Sequence, residues 1–545
     1  MPEIQFKGKE FVFNHHLSVP YRPLVPHKEK SIGAGNINEN LVVHGDNLHA
    51  LKALMPMYAG KIDCIFIDPP YNTGNEGWAY NDNVNSPMIK EWLSSNPVNK
   101  DDMLKHDKWL AMMYPRLKLL HELLAEHGSF WMTLDDNEVH RARMMLDEIF
   151  GENNFLADVS WEKADSPRMD VEFFSSRQDH MLVYAKNLEH VCFNRIQTTD
   201  IPQHYDKEDD GGRKYYLKPL RAMGGQGETR AARPNLYYAM QAPDGSEVFP
   251  VLTDGTDGAW RWGKDKAEKE KDRIEWKVGK TGWTPYFRIY ADTLDGRPPE
   301  TIFYNSQVGS SRTSKLEIKQ LFPEGSPFDT PKPVGLLDMV LQIATEPGMT
   351  VLDSFAGSGT TAHAVLAMNK RDSKSDRKFI LVECEPYADT TTAERVRRVI
   401  NGVPTSKDKN IKTGTGGSFT YCTLGEPIDI DKILTGENLP DYQSIGSWLF
   451  HTATGEALNV KNIKEKDFFL GESNAYCVWL IYKPSLEFLK SRDAALTLSF
   501  AEKISQNKNK KHLVFAPAKY VPNKTLLPLG VEYAPLPFAL YRVEK

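Results

Sequence analysis

Apolar residues follow two alternating patterns over the first 190 positions. Short apolar runs, "NLVVHG", "KIDCIFID" and "SFWMTLDD", give way in turn to segments whose apolar residues recur every three to four positions: "NLHALKALMPMY", "KHDKWLAMMYPRLKLLHELLAEHG" and "NEVHRARMMLDEIFG". The runs predict strands and the periodic segments predict helices. Their alternation predicts a mostly parallel sheet covered on both faces, an α/β, doubly wound fold. Met112, Met113, Leu117 and Leu120 sit at helical spacing and are assigned to the core.

From about residue 195 to 300 the alternation stops. Gly, Trp, Tyr and charges of both signs fill "DKEDDGGRKYYLKPLRAMGGQGETRAARPNLYYAMQAPDGSEVFP" and "GAWRWGKDKAEKEKDRIEWKVGKTGWTPYFRIY", which reads as an inserted, loop-rich domain. The alternation resumes with "TVLDSFAGSGTTAHAVLAMNK" and "RKFILVECEP". Residues 1–200 and 301–400 are therefore expected to be two halves of one sheet domain, with 201–300 inserted between them. Beyond it, "TSKDKNIKTGTGGS" reads as a linker, at about 404–418. The strand-like "AYCVWLIYK", "LTLSF", "HLVFAP" and "PFALYRVEK" then predict a small mixed α/β domain, so that 401–545 holds a linker and a C-terminal domain expected to serve association, a role that deletion of 419–545 would test.

Composition narrows the field. A chain of 545 residues is too long for one ordinary core, and two or three domains are expected. The formal net charge of -6 excludes a polybasic protein, so contact with nucleic acid requires a local surface. Five cysteines lie scattered without a C-x-x-C pair, which argues for a reducing compartment and against a zinc site or a disulfide framework. The first residues lack a signal pattern and no apolar run spans a bilayer, so a cytoplasmic location with no membrane association is expected.

Candidate chemistry begins with Phe355-x-Gly357-x-Gly359, placed directly after a strand and opening a helix, where a doubly wound sheet binds a nucleotide. A ligand-free tight turn is an equally good reading of those glycines alone. The next strand ends in Glu383, about 25 residues downstream, the expected place for an acid that holds the ribose hydroxyls of an adenosine-containing cofactor. Glu385 competes for that role. No P-loop is present, which argues against ATP.

"DPPY" at 68–71 and "FAGSGT" at 355–360, in that order and with a variable domain between them, resemble the paired signatures of the β class of DNA adenine methyltransferases. "DPPYNTGNEGWAYNDNV", "RPNLYYAMQAPDG", "SPFDTPKPVGLL" and "GGSFTYCTLGEPIDIDKILTGENLP" further resemble the modification subunits of Type III restriction-modification systems. The resemblance implies a Rossmann-like methyltransferase sheet in permuted motif order with an inserted target-recognition domain. It implies S-adenosylmethionine as cofactor and no metal. It places Asp46, Lys332, Pro333 and Asp353 in the cofactor cleft with Phe355, Gly357, Gly359 and Glu383. Asp46 serves equally well as a helix cap, and Lys332 as a solvated surface residue.

In that chemistry the exocyclic amine of adenine is a poor nucleophile, because its lone pair is delocalised into the ring. Asp68 and the carbonyl of Pro69 are acceptors for its hydrogens, Pro69 and Pro70 fix the backbone, and Tyr71 offers a face on which an extruded base stacks. Methylation at carbon-5 of cytosine needs a cysteine nucleophile, typically after proline, and no cysteine here follows one. Cytosine N4 uses similar acceptors; Asp in the first position of the motif favours adenine within the family.

Target recognition is assigned to 201–300, since a methyltransferase core needs an added surface to read base edges. Acids and bases balance across it, so an ordinary charged insertion stands beside that reading. Arg261 between Trp260 and Trp262, and the run Arg230–Arg233, are candidate DNA contacts. The expected partners are double-stranded DNA, a second copy of the chain and a helicase-nuclease restriction subunit. The alternatives are a solitary adenine or cytosine-N4 methyltransferase and a catalytically inactive DNA-specificity module.

Overall fold

The computed structural model describes residues 3–73, 103–196, 204–222, 227–279, 282–291, 296–372, 375–428, 439–506 and 509–536. The chain divides into two compact units, one formed by Met1–Asn194 with Glu300–Lys545 and one by Arg195–Pro299.

The first unit is built on a ten-stranded sheet. In chain order its strands are β1 (Leu24–Ile32), β2 (Leu41–His44), β3 (Ile62–Ile67), β4 (Leu124–Leu134), β5 (Phe155–Glu162), β6 (Gln178–Ala185), β7 (Ile302–Phe303), β8 (Thr350–Asp353), β9 (Lys378–Glu383) and β10 (Phe419–Leu424). Their spatial order is β1-β10-β2-β9-β8-β3-β4-β6-β5-β7. All neighbours from β10 through β4 pair in parallel, while β6 enters antiparallel between β4 and β5. β3 is wholly apolar at Cys64–Ile67 because both faces of the sheet are covered there, as parallel packing demands.

The motif order is permuted in space as in sequence. β8 and β9, from the second half of the chain, sit between β2 and β3, from the first. The chain leaves β3 towards β4 and leaves β8 towards β9, in opposite directions across the sheet. The crevice between β8 and β3 is thus the topological switch point, and ligands of doubly wound sheets bind at the carboxyl ends of the strands there.

The helices follow the predicted periodicity. α1 (Asn47–Tyr58), α2 (Lys105–Leu123) and α3 (Val139–Phe150) connect the early strands, and Met112, Met113, Leu117 and Leu120 are all buried in α2. α4 (Val334–Ala344) and α5 (Thr360–Arg371) flank β8.

The C-terminal block departs from expectation. Phe419–Leu424 does not open a new domain: β10 pairs in parallel with β2 and antiparallel with β1, completing the main sheet. Residues 439–536 do carry their own four-stranded sheet, in the order Phe469–Glu472, Tyr476–Leu480, Lys511–Ala516, Val531–Pro535. One face of it, bearing Leu470, Val478, Leu480 and Phe515, is nevertheless continuous with the core of the main sheet, while the other packs a separate cluster around Val514 and Leu496. Tyr21 stacks on Trp448 with ring centroids 6.1 Å apart, and Leu458 N donates to the carbonyl of Pro56 in α1 at 2.9 Å. Removing 419–545 would strip a strand and uncover α1, so that truncation cannot separate association from folding. "LTLSF" is mostly helix, Leu498–Ile504 capped by Thr497, because the threonine hydroxyl accepts from Phe500 N and competes with extended pairing. "PFALYRVEK" lies outside the described residues.

The second unit holds a four-stranded antiparallel sheet, Ile274–Gly279, Gly282–Tyr290, Lys214–Pro219 and Lys207–Glu208. Trp260 and Trp262 are buried with Leu220, Ala267 and Phe287, so they form its core rather than flank Arg261 on a surface. Arg261 donates through Nε to the carbonyl of Pro219 at 3.1 Å. Arg230 is exposed, but pairs with Asp257 at 2.8 Å and lies over the Tyr237 ring at 4.2 Å.

Candidate active site

Four strands deliver acids to one edge of the first unit. Asp46 follows β2, Asp68 follows β3, Asp353 ends β8 and Glu383 ends β9. The register aligns Asp353 with Leu381 and Glu383 with His44, so β9 carries its acid two residues beyond the end of β8.

Asp68 is gripped on both oxygens. Lys332 Nζ donates to Oδ2 at 2.5 Å, and Thr133 Oγ1, near the end of β4, donates to Oδ1 at 2.6 Å. Pro69 is buried, and the carbonyl of Pro70 accepts from the indole Nε1 of the fully buried Trp109 at 2.7 Å. Trp109 thereby locks the exit of the turn. Asn72, next but one, has φ 61, a left-handed conformation uncommon outside glycine. It persists because the Asn72 amide is held by the carbonyl of Lys105 at 3.1 Å and by the buried carboxylate of Glu138, which also bonds His106.

Tyr71 is partly buried, with Lys332 Nζ 5.0 Å from its ring centre. Burial, then the charges of Asp68 and Asp179, push its hydroxyl well above the usual phenol range, so it is a neutral wall and no base. Trp161 of β5 forms the next wall, with Lys332 Nζ 6.0 Å from its ring. Across the β5–β6 ladder, Trp161 is the register partner of Asp179, which is buried and bonded by Lys163 at 2.6 Å.

The glycine turn forms the other half. Gly357 has φ 49 and Gly359 has φ 80; a Cβ on Gly357 would stand 3.2 Å from Phe328 Cζ, and one on Gly359 3.0 Å from the carbonyl of Thr392. Phe328 meets Tyr387 edge to face at 5.6 Å, placing an aromatic pair beside the turn. Asp353 is buried and accepts from Phe355 N at 3.0 Å and Thr361 Oγ1 at 2.6 Å. Glu383 is buried too, and accepts from Gly357 N at 2.7 Å and Glu385 N at 3.0 Å. Burial raises each of these carboxyl groups to about 7. Glu385 itself is exposed.

The remaining expected residues fall around these two halves. Asp46 both caps α1, accepting from His49 N at 3.1 Å, and pairs with Arg116 at 3.3 Å, so the cap and cleft readings coexist. Phe355 is partly buried against the core. Pro333 caps α4. Lys332 is no surface lysine: its side chain is 12 % exposed and its ammonium lies on Asp68. Its backbone is tied to the glycine turn, because Thr360 Oγ1 donates to the carbonyl of Lys332 at 3.2 Å. The fully buried Arg395 donates in turn to Ser358 and Thr360, each at 2.8 Å.

Thr133, Trp109, Trp161, Lys163, Asp179, Phe328 and Arg395 were not singled out from the sequence. "TLDD" at a strand end could have flagged Thr133. The others carry no local signal, since long-range pairing brings them in.

The chain matches the model of the DNA methylase family whose members act on N6 or N4 amines over residues 62–394, from the first residue of β3 through β9. It is 32% identical over 484 residues to the Type III restriction-modification enzyme StyLTI Mod subunit of Salmonella typhimurium, covering 84% of this chain and 69% of that one. It is 30% identical over 449 residues to the EcoPI Mod subunit of Escherichia phage P1, covering 74% and 69%. To the Type II methyltransferase M.KpnI of Klebsiella pneumoniae it is 30% identical over 357 residues, covering 62% and 79%. With the motif pair on adjacent strands and a match across both, the chain belongs to the N6/N4 DNA methylase family.

Proposed function

We propose that this chain methylates the N6 amine of adenine in a specific double-stranded DNA sequence, as the modification and specificity subunit of a Type III restriction-modification system. The observation that carries this reading is the adjacency of β3 and β8, which sets Asp68-Pro69-Pro70-Tyr71 beside the Gly357–Gly359 turn at the switch point of the sheet.

The cleft beside that turn suits S-adenosylmethionine. Glycine backbone admits close approach, Phe328 and Tyr387 offer flat apolar faces, and Glu383 is a buried acceptor at the strand end for ribose hydroxyls. When bound, the cofactor supplies an electrophilic methyl group on a sulfonium. The protein's own work lies on the nucleophile. Asp68 accepts one hydrogen of the amine and the carbonyl of Pro69 the other, localising the nitrogen lone pair. Tyr71 and Trp161 hold the ring of the extruded base. Thr133 fixes the Asp68 carboxylate, so that the acceptor is oriented before the substrate arrives.

The Arg195–Pro299 unit supplies target recognition in this reading, and Asp46 and Asp353 complete the cofactor cleft. The two Mod relatives, subunits of Type III restriction-modification enzymes, favour assembly with a restriction subunit, read here as a helicase-nuclease, and a second copy of the chain is a further part of this proposal. A second reading, a stand-alone methyltransferase, is favoured by the likeness to the Type II enzyme. Sequencing modified adenines in genomic DNA from cells with and without the gene tests the function: the proposal requires N6-methyladenine at one short motif only when the gene is present. Purification of the tagged chain from its native host then separates the two assemblies, because a co-purifying ATP-dependent nuclease is expected only for the first.

A further inference from the structure

Lys332 occupies an oxygen that the proposed reaction needs. Both oxygens of Asp68 already accept hydrogen bonds, one from Thr133 and one from Lys332. Thr133 sits within β4 and cannot withdraw without disturbing the sheet, whereas Lys332 stands on a long side chain ahead of α4. Of the two donors, the ammonium is therefore the one that can yield its place on Asp68 to the arriving amine. Its side chain is 12 % exposed, so a lysine that simply let go would be an unpaired cation in a largely water-free pocket.

A second carboxylate lies one strand over, on the same face as Trp161. Lys332 Nζ lies 6.0 Å from the centre of the Trp161 ring, and Asp179 is the register partner of Trp161 on the neighbouring strand. β6 runs antiparallel to β4 and β5, so its N-terminal residues Gln178–His180 rise at the edge where β3 and β8 end. Asp179 is 3 % exposed and is bonded by Lys163, which leaves further lone pairs on its oxygens. Lys332 Nζ thus stands 5.0 Å from the Tyr71 ring and 6.0 Å from that of Trp161, whose register partner is Asp179, and the charge of Lys332 acts on the Asp179 carboxyl.

We propose that Asp179 is a positioning residue for the transfer: it receives the Lys332 ammonium when the target amine takes that ammonium's place on Asp68. Lys332 holds Asp68 aimed before the target arrives, and Asp179 makes its departure inexpensive. The same movement ties the two halves of the site together, because the Lys332 carbonyl is bonded by Thr360 at the start of the glycine-turn helix, itself held by Arg395. This inference rests on the reading of Asp68 as the amine's acceptor.

A double-mutant cycle tests it, with single-turnover methylation of a duplex carrying the site found by sequencing and cofactor affinity measured alongside. Asp179→Asn should slow transfer at least about tenfold with cofactor binding unchanged. In a Lys332→Met background the same change should cost nothing further, because no ammonium is left to rehouse. Additive losses would overturn the proposal, as would full-speed Asp179→Asn, the result expected if the cofactor's own carboxylate took up Lys332. A structure of the wild-type protein with that duplex and S-adenosylhomocysteine gives a readout independent of turnover: Lys332 Nζ within hydrogen-bond distance of Asp179 supports the proposal, and Lys332 still on Asp68 overturns it. Asp68→Ala is the control on the underlying reading. If it retains transfer, both readings fall; if it is inactive while the cycle is additive, only this inference does.

Discussion

Two sets of acids stand at the same edge of one sheet and are treated in opposite ways. Asp68 has a cation on it, Lys332 at 2.5 Å, and a hydroxyl on its other oxygen. Asp353 and Glu383 are buried more deeply and accept only from neutral N–H and O–H groups, and burial lifts both to about 7. The first arrangement keeps a carboxylate aimed before substrate arrives. The second leaves carboxylates short of donors, a condition that a ligand bearing hydroxyls relieves. One edge thus carries an acceptor built for turnover beside acceptors built for binding, and single substitutions should separate the two.

The largest effect is expected at Asp68. Asp68→Ala should lower single-turnover methylation several hundredfold, since one oriented acceptor is worth ~2.7–4 kcal/mol in the transition state. The rise in melting temperature on adding S-adenosylmethionine should stay as in wild type; its loss would merge the two sets. Next comes Gly357→Val, which forces a β-branched residue to φ 49 with its Cβ 3.2 Å from Phe328. Cofactor affinity, read by calorimetry, should fall more than about tenfold, in line with ~1–3 kcal/mol of backbone strain.

Glu383→Gln should weaken the cofactor by about tenfold to a hundredfold, the worth of a hydrogen bond to a charged group, ~1.5–3 kcal/mol. It should also change the pH dependence. Unfolded carboxyl groups release their protons near pH ~4, whereas Asp353 and Glu383 in the ligand-free fold hold theirs to about 7. Stability from this source is therefore full below about pH 4 and is lost as pH rises through 7. Hydroxyl donors favour the ionised form, so the melting gain from cofactor should grow between pH 6 and pH 8, and Glu383→Gln should flatten that growth. The smallest effect belongs to Glu385→Gln: at an exposed position the change should stay within ~0.5 kcal/mol, about twofold in affinity. A larger loss there than at Glu383 would reverse their assignment.

What was legible in the sequence is local. Strand and helix periods, the turn at Asp68–Tyr71, the glycine turn and the acid ending β9 each occupy a few consecutive residues, and the structure places them on one edge. What was not legible depends on pairing across long stretches of chain. Asp179 and Trp161 meet the site only because β6 runs antiparallel between β4 and β5. β10 looked like the start of a new domain because its partners, β1 and β2, lie nearly four hundred residues earlier. Arg261 between two tryptophans reads as a candidate DNA contact, yet Trp260 and Trp262 turn into the core of the inserted unit and Arg261 Nε bonds the carbonyl of Pro219. Lys332 could be read as a surface residue for a related reason: nothing in "TPKPVGLL" reveals that Asp68, 264 positions away, receives its ammonium.

The central claim, that Asp68 draws on the amine of adenine for methyl transfer, is tested most directly by base-resolved sequencing of DNA treated with purified protein and S-adenosylmethionine, wild type beside Asp68→Ala. The account predicts N6-methyladenine at one short motif from the wild type and none above background from the variant. N4-methylcytosine as the product, or equal methylation by the two proteins, would contradict it.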